Sequence, residues 1–364
     1  MSQRSKKKPF VWLTLLLALG LVAAACGGDD SDSSSDTDGT TPTEESAYAA
    51  LSGSITGSGA SFPDAFYQTA IDAFSEVSDL SVTYNAVGSG QGKKDFGSNL
   101  NDFAGSDSLV KDGDGPAAGS YLYVPTVAAP ITVSYNLSGV EDLQLSPDTL
   151  AGIFQGTITK WDDDAIVEDN PDADLPSKDI VMVHRADGSG TTSNFTKYLA
   201  KAAPTAWTLG SGDTVAWPTS SQAGQKNTGV AQLITQNDGA IGYVDLSDAE
   251  ATQLTFAAIK NKSGEFVVPS LDSAQAALEG AVINDDLSYD PLDADGADAY
   301  PITSPTYLLV RTSYSDQAAL DNVKGFITFV LTEAQDLAAE VSFAKLPTEL
   351  HDKALAQLEK LTVG

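Results

Sequence analysis

Apolar and polar positions alternate between strand-like and helix-like spacing from residue 51 onward. Residues 80–87 alternate as a strand does, whereas residues 65–77 repeat their apolar side chains at helical spacing. Together with strands predicted near Ile55 and within residues 102–107, and a helix starting near Lys93, this pattern predicts a β-α-β-α-β unit. Such units build parallel sheets, in which ligand sites lie where strand carboxyl ends meet helix amino ends.

The rest of the chain continues in the same manner. Two apolar runs, residues 124–134 and 307–310, are long or isolated enough to predict strands that cross between two halves of the protein. The pattern also predicts buried strands at 180–183 and 240–244, helices at 146–154, 192–201, 321–339 and 348–361, and an acidic, irregular surface loop at 285–298.

Glycine-rich turns with hydroxyl side chains join several predicted strands to helices. In residues 185–191, Arg185 precedes Gly188, Ser189 and Thr191, which open the helix at 192–201. The unpaired amides and the dipole at a helix start favour an anion, and a guanidinium fork matches a tetrahedral oxyanion. A single turn of this kind is equally typical of an ordinary helix start capped by Ser or Thr. Two similar turns upstream, 57–63 and 88–92, favour the interpretation as an oxyanion clamp.

Residues 1–25 are typical of a secretory signal. Four basic residues, Arg4, Lys6, Lys7 and Lys8, precede an apolar stretch that ends in small residues before Cys26, the only cysteine of the chain. This arrangement resembles a bacterial lipobox and predicts lipidation of Cys26, although Ala23 stands where leucine is usual. The apolar stretch is shorter than the roughly 20 residues needed to span a bilayer, which disfavours an uncleaved anchor.

Residues 26–50 are predicted to be a disordered acidic tether. They contain seven acidic residues and no basic one, separated by Ser, Thr and Gly. Such a composition buries too little apolar surface to offset the entropy of the chain, and its charges keep it extended.

The net charge excludes several classes of partner. The formal charge is −30, and removal of residues 1–25 leaves 16 bases against 50 acids, or −34. Such a surface repels nucleic acids and anionic lipid headgroups, so we expect no nucleic-acid partner. An anion site in this protein must therefore act through short-range donors. About 310 residues follow the tether, more than a single core comfortably supports, which predicts two lobes.

The sequence offers little for catalysis. It contains two histidines, His184 and His351, no metal-ligand spacing and no nucleophile motif, so we predict no catalytic residues, no metal and no cofactor. His184 adjoins the clamp and leaves a general base as an alternative. The other interpretation is a strand residue whose side chain alternates away from Arg185.

Several motifs together carry a resemblance to a known family. In family order and at close to family spacing, the chain contains the segments 57–63, 88–90, 102–107, 159–163, 185–191, 239–243 and 301–304. The chain resembles the phosphate-binding proteins of high-affinity ABC phosphate importers. The resemblance runs from about Ser54 to the end of the chain and is weakest across residues 245–300.

The resemblance implies an α/β, two-lobed periplasmic-binding-protein-like fold of type II, with the ligand cleft between the lobes and two crossing strands. It implies one lobe from residues 51–128 plus 302–364 and the other from 129–301. It further implies a receptor that is lipid-anchored at the extracytoplasmic face of the bacterial membrane and that delivers inorganic phosphate to permease subunits.

The resemblance also implies the site. Ser61, Phe62, Ser89 and Asp107 would contact phosphate from one lobe, and Arg185, Ser189, Gly190 and Thr191 from the other; Asp187 would orient the arginine. The family more often has threonine where this chain has Ser61, and the hydroxyl is retained.

Three alternatives remain open. The first is a receptor for another oxyanion such as sulfate, which Asp107 disfavours because a carboxylate accepts hydrogen bonds and a fully deprotonated anion has none to donate. The second is a secreted phosphatase on the same scaffold, and the third is a surface adhesin that retains the fold.

Overall fold

A mixed sheet forms the centre of residues 46–364, the part of the chain that the structure, a computed structural model, describes. The strands are β1 (Ser52–Gly59), β2 (Asp79–Ala86), β3 (Phe103–Ser106), β4 (Tyr121–Asn136), β5 (Gln144–Leu145), β6 (Val181–Arg185), β7 (Gln222–Gly224), β8 (Ala240–Asp245), β9 (Thr255–Phe256), β10 (Ala258–Lys260), β11 (Phe266–Val267), β12 (Thr303–Arg311), β13 (Ser313–Tyr314) and β14 (Thr362–Val363).

Helices alternate with these strands, which confirms the α/β class. They are α1 (Asp64–Phe74), α2 (Ser89–Gly97), α3 (Pro147–Gln155), α4 (Asp164–Asp169), α5 (Gly190–Ala202), α6 (Lys226–Gln236), α7 (Leu246–Ala251), α8 (Leu271–Leu278), α9 (Gln317–Leu331) and α10 (Thr348–Leu358), with a 3₁₀ helix at Glu333–Val341. Among residues 46–364, no helix combines the length and the apolar character needed to cross a membrane.

The main sheet has nine strands in the order β2-β1-β3-β12-β4-β8-β6-β7, with β9 paired to β4. Strand β4 is shared by two groups of strands: residues 121–130 pair with β12, and residues 131–136 pair with β8. We call β1, β2, β3, β12 and residues 121–130 the first half-sheet, and β6, β7, β8 and residues 131–136 the second half-sheet. The predicted crossing runs at 124–134 and 307–310 lie within β4 and β12.

Local sequence explains how the first elements form. In β2 every second residue is buried, so Val82, Tyr84 and Ala86 face the core as their alternation predicts. Pro147 opens α3, where its fixed φ and missing N–H cost nothing. Gly156 ends the same helix at φ 79°, in the left-handed region that glycine enters without strain.

Three features differ from the sequence predictions. Helix α2 begins at Ser89 rather than near Lys93. The single helix predicted over residues 321–339 is wrong, because α9 ends before Thr332, whose backbone at φ −108° and ψ −92° is not helical, and a 3₁₀ helix follows. The predicted surface loop 285–298 is partly internal, since Tyr289 and Leu292 are buried.

The last five residues of the predicted tether, Ser46 to Ala50, are part of the folded unit and not disordered. Ser46 to Ala50 form a turn, and the ring of Tyr48 is buried edge-on against Phe74 and Phe329. The tyrosine hydroxyl donates a hydrogen bond of 2.8 Å to Glu333. The remainder of the predicted tether, the signal segment and Cys26 lie outside the described residues.

Candidate oxyanion-binding site

The residues singled out in the sequence lie at the carboxyl ends of parallel strands. β1 pairs in parallel with β2 and β3, and β6 with β7 and β8. Ser61 follows β1, Ser89 follows β2 and Asp107 follows β3, while Arg185 ends β6 and Ser189 caps helix α5. This edge of a parallel sheet is where ligands bind in open α/β proteins, because helix amino ends collect there.

Ser89, Asp107 and Gly190 form one contact group, which joins segments of the two half-sheets. The Ser89 hydroxyl lies 3.4 Å from Oδ2 of Asp107, and the Asp107 amide donates to Ser89 Oγ at 3.3 Å. A Cβ on Gly190 would lie 2.6 Å from Ser89 Oγ and 2.7 Å from Asp107 Oδ2. A side chain at position 190 would therefore displace both groups, which explains why glycine stands there.

Arg185 forms the second contact group. Its guanidinium donates to both carboxylate oxygens of Asp187, at 2.9 Å from Nε and 2.5 Å from Nη2, and Nη1 lies 3.4 Å from the Thr191 hydroxyl. The Arg185 side chain is 1% exposed, so the charge is buried and paired. Burial is the largest influence and raises the pKa of Asp187, but the hydrogen bonds and charge of Arg185 together with backbone amides, including that of Lys226, outweigh it and hold that pKa below its usual value. The ionised carboxylate fixes the plane of the guanidinium, as the resemblance implies.

The three predicted serines share one hydrogen-bonding arrangement. Each hydroxyl oxygen accepts from a backbone amide: Ser61 from Asn227 at 3.3 Å, Ser89 from Asp107 at 3.3 Å and Ser189 from Thr192 at 3.1 Å. A hydroxyl that accepts in this way retains its own hydrogen for donation. The hydrogen of Ser89 is directed at the Asp107 carboxylate, at 3.4 Å, whereas no acceptor among residues 46–364 takes the hydrogens of Ser61 and Ser189. Hydroxyls of this kind together with a buried guanidinium make a donor set suited to an oxyanion.

Phe62 and the glycine turns have different roles in the site. The Phe62 ring is buried edge-on against Phe343, with centroids 5.7 Å apart, so only its backbone can face a polar ligand. The amide of Gly90, in the first turn of α2, donates to the carbonyl of Gly188, in the turn after β6, at 3.0 Å. The start of α2 and the turn before α5 therefore contact each other directly.

Sequence reasoning missed two residues that complete these groups. Asn227, fully buried at the start of α6, accepts from Arg185 Nη1 at 2.7 Å and donates to Asp245 at 2.6 Å. Thr306 on β12 donates to Oδ1 of Asp107 at 2.7 Å. The helical spacing of Val230, Ala231 and Ile234 after a glycine could have indicated the start of α6, whereas nothing in the sequence distinguishes Thr306.

Asp107 is the only carboxylate among the predicted ligands, and its environment disfavours ionisation. Burial raises the pKa of Asp107 to about 7, against the opposing effects of the hydrogen bond from Thr306, the charge of Arg185 and the hydrogen bond from Ser89. The neighbouring carboxylate of Asp213 raises it further. At neutral pH the Asp107 carboxyl therefore lies near the midpoint of its titration and can accept or donate a hydrogen bond.

This environment predicts a pH-dependent effect of Asp107→Asn on stability. Because the folded-state pKa is about 7 and the ordinary value is 3.8, the stabilisation from Asp107 is full below pH 3.8 and is lost as the pH rises through 7. In phosphate-free buffer, Asp107→Asn should gain on the order of 2 kcal/mol of unfolding free energy relative to wild type between about pH 5 and about pH 8. Denaturant unfolding of both proteins measures this, and a difference that does not change with pH would contradict the assignment.

No hydroxyl or thiol of residues 46–364 is hydrogen-bonded to the His184 ring. The ring stacks on Trp217, with centroids 5.0 Å apart, and Nδ1 donates to the carbonyl oxygen of Arg185 at 2.8 Å. Burial lowers the pKa of His184, which keeps the ring neutral near pH 7. Within the described part of the chain, no group of three or more His, Cys, Asp or Glu side chains is placed to hold a metal ion.

Comparison with known proteins gives the family. A family model described as a PBP superfamily domain matches residues 37–334. The chain is 34% identical over 309 residues to the phosphate-binding protein PstS of Pasteurella multocida, covering 83% of this chain and 89% of that protein. It is 36% identical over 309 residues to PstS of Methanocaldococcus jannaschii, covering 76% and 78% respectively.

Solved structures agree on the fold. A high-affinity periplasmic phosphate-binding protein, solved with phosphate bound at pH 8.5, superposes with a TM-score of 0.69 at 24% identity over 84% of this chain and 93% of that one. The phosphate-binding protein of Stenotrophomonas maltophilia superposes with a TM-score of 0.63 at 25% identity, over 84% and 94%. The resemblance noted in the sequence and the type II PBP-like fold are thereby confirmed, and the chain belongs to the PstS family of phosphate-binding proteins within the PBP superfamily.

Proposed function

We propose that this protein is an extracytoplasmic receptor that binds inorganic phosphate and delivers it to the permease of an ABC-type importer. The observation that carries the proposal is a buried guanidinium and a buried carboxyl, Arg185 and Asp107, in one cluster of serine hydroxyls. Donors alone would suit any oxyanion. A carboxyl beside them suits an oxyanion that has a hydrogen to donate, as phosphate does near neutral pH.

The eight predicted contacts come from both half-sheets. Ser61, the Phe62 backbone, Ser89 and Asp107 would hold phosphate from the first half-sheet, and the Arg185 to Thr191 segment from the second. The change of partner within β4 between Pro130 and Ile131, and the start of β12 at Thr303, lie close to the proposed lobe boundaries at 128/129 and 301/302. These positions support a division into two lobes with the anion between them.

Titration of the purified protein with inorganic phosphate in a calorimeter tests the proposal. We expect saturable binding of one phosphate per chain, with sulfate far weaker. An absence of phosphate binding would overturn the proposed function, and equal binding of sulfate would favour a general oxyanion receptor.

We propose binding without turnover. The relatives named above are binding proteins, and within residues 46–364 the His184 ring stacks on Trp217 and forms a hydrogen bond only with the Arg185 carbonyl. A chromogenic phosphomonoester incubated with the pure protein tests this. Hydrolysis that disappears in His184→Ala would support the phosphatase alternative, whereas no hydrolysis is the expected result.

The anchor at Cys26 has its own test. We propose that Cys26 is lipidated after removal of residues 1–25, which would hold the receptor beside its permease. Cys26→Ser should lose incorporation of labelled palmitate and leave the membrane fraction, because no other thiol is present in the chain. Unchanged labelling of the variant would contradict lipidation at this residue.

A further inference from the structure

Lys93 is a fully buried lysine on the helix that begins at Ser89. It lies four residues beyond Ser89, hence on the same face of α2. Its ammonium group lies 3.0 Å from the carboxylate of Asp213 and 3.2 Å from that of Asp114. It also donates to the Ser108 hydroxyl at 3.1 Å and the Leu109 carbonyl at 3.3 Å. A buried ammonium is tolerated only with such pairing.

The two carboxylates belong to different parts of the fold. Asp114 lies in the segment between β3 and β4, which belongs to the same side of the molecule as α2. Asp213 lies between α5 and β7, and its backbone carbonyl accepts from the amide of Ser189 at 3.0 Å. The ion pair of Lys93 with Asp213 therefore connects the helix of Ser89 to the residue that holds the start of the helix of Ser189.

The negative charge of Asp213 also lies close to the proposed anion site. Asp213 is close enough to Asp107 to raise the pKa of that carboxyl, so its negative charge acts at the anion site. Asp213 is 17% exposed and Asp114 34% exposed, so solvent screens Asp213 less. Two lysines lie near this segment: Lys93, and Lys111, whose Nζ would lie 3.5 Å from a Cβ on Gly212. Of these, Lys93 pairs with Asp213 directly.

We propose that Lys93 is a positioning residue for anion binding: it neutralises Asp213 and holds the Ser89 and Ser189 helix starts against the same ligand. The proposal rests on the proposed phosphate-binding function. It assigns no contact between Lys93 and phosphate. Without the ammonium, Asp213 would present an uncompensated charge beside the site, and the connection between the two helix starts would be lost.

The test compares Lys93→Met with Lys94→Met by calorimetric titration with inorganic phosphate. Lys94 is exposed and adjacent, so its variant has the same change in net charge without loss of the ion pair. We expect Lys93→Met to bind phosphate at least about tenfold more weakly and Lys94→Met to stay within about twofold of wild type. The double variant Lys93→Met/Asp213→Asn should recover at least half of the loss on a logarithmic scale, because the unpaired carboxylate is removed.

A pH profile separates this role from a general loss of structure. The loss in Lys93→Met should be several-fold larger at about pH 8 than at about pH 5.5, because phosphate and Asp107 both gain negative charge as the pH rises. If Lys93→Met does not fold, Lys93→Gln, which keeps a donor and removes the charge, takes its place with the same expectations.

Three results would overturn the proposal while wild type binds phosphate. These are affinity within twofold of wild type in folded Lys93→Met, no recovery in the double variant, and a loss that is constant with pH. Failure of wild type to bind phosphate would instead refute the proposed function itself.

Discussion

Replacing Arg185 with alanine is expected to weaken phosphate binding more than any other single change. The guanidinium is buried and held by Asp187, Thr191 and Asn227, so its removal leaves the anion without its principal charge partner in a strongly acidic protein. Loss of one partner of such a buried pair costs about 2–5 kcal/mol, or about 30- to 4,000-fold in affinity. Calorimetric titration of the folded variant measures the effect, and a loss below tenfold would place the site elsewhere.

A matched pair of lysine variants tests the role of the guanidinium fork. Arg185→Lys keeps the charge but not the planar donors, so it should also bind phosphate more weakly than wild type. Arg311 is the other arginine beyond residue 25; it donates to the carbonyl oxygens of Phe96 and Asn101, both at 2.9 Å. Arg311→Lys is the control, and we expect it to leave phosphate affinity nearly unchanged.

Asp107 is expected to set the preference for phosphate over sulfate. Both phosphate species near neutral pH carry a hydrogen that can be donated to the carboxylate, whereas sulfate has none and would face it unpaired. Sites that bond a ligand hydroxyl reject an analogue without it by factors on the order of 10⁴. Asp107→Asn removes the charge of the side chain and keeps its shape nearly the same. Phosphate binding should therefore persist, and the ratio of phosphate affinity to sulfate affinity should fall.

The raised pKa of Asp107 predicts that the preference for phosphate over sulfate changes with pH. Because burial raises that pKa to about 7, the carboxyl is increasingly protonated as the pH falls below 7 and can then donate to sulfate. The preference of wild type for phosphate should therefore be smaller at about pH 5 than at about pH 8, and Asp107→Asn should lose this dependence.

Competition titrations with both anions at both pH values measure the preference. Asp112→Asn is a suitable control, because Asp112 is exposed and the variant has the same net charge as Asp107→Asn. An unchanged preference in Asp107→Asn, or equal binding of both anions by wild type, would show that Asp107 does not discriminate between them.

The sequence predicted the half of the site that depends on local structure. Each glycine-hydroxyl segment joins a strand to a helix, although 57–59 belong to β1 and 89–92 to α2, so period and turn chemistry together located Ser61, Ser89 and Ser189 near strand carboxyl ends. The pairing of Arg185 with Asp187, which the family resemblance implied, spans only two residues. These turns and this ion pair depend on residues close together in the sequence, which is why the sequence pattern could indicate their positions.

The missed residues depend on contacts between distant segments. Asn227 reaches Ser61 across 166 positions, and Thr306 reaches Asp107 across 199. No local period distinguishes a buried asparagine or threonine of this kind from an ordinary polar residue. The break at Thr332 was missed for a related reason, because apolar spacing continues across it while the backbone leaves the α-helical region.

A crystal structure of the protein with phosphate tests the central claim most directly, since the claim is that Arg185 and Asp107 act on one anion. We expect a single phosphate within about 2.5–3.0 Å of the Arg185 guanidinium, of an Asp107 carboxylate oxygen and of the hydroxyls of the predicted serines. Phosphate bound away from Arg185, or bound to Arg185 with Asp107 directed elsewhere, would contradict the account.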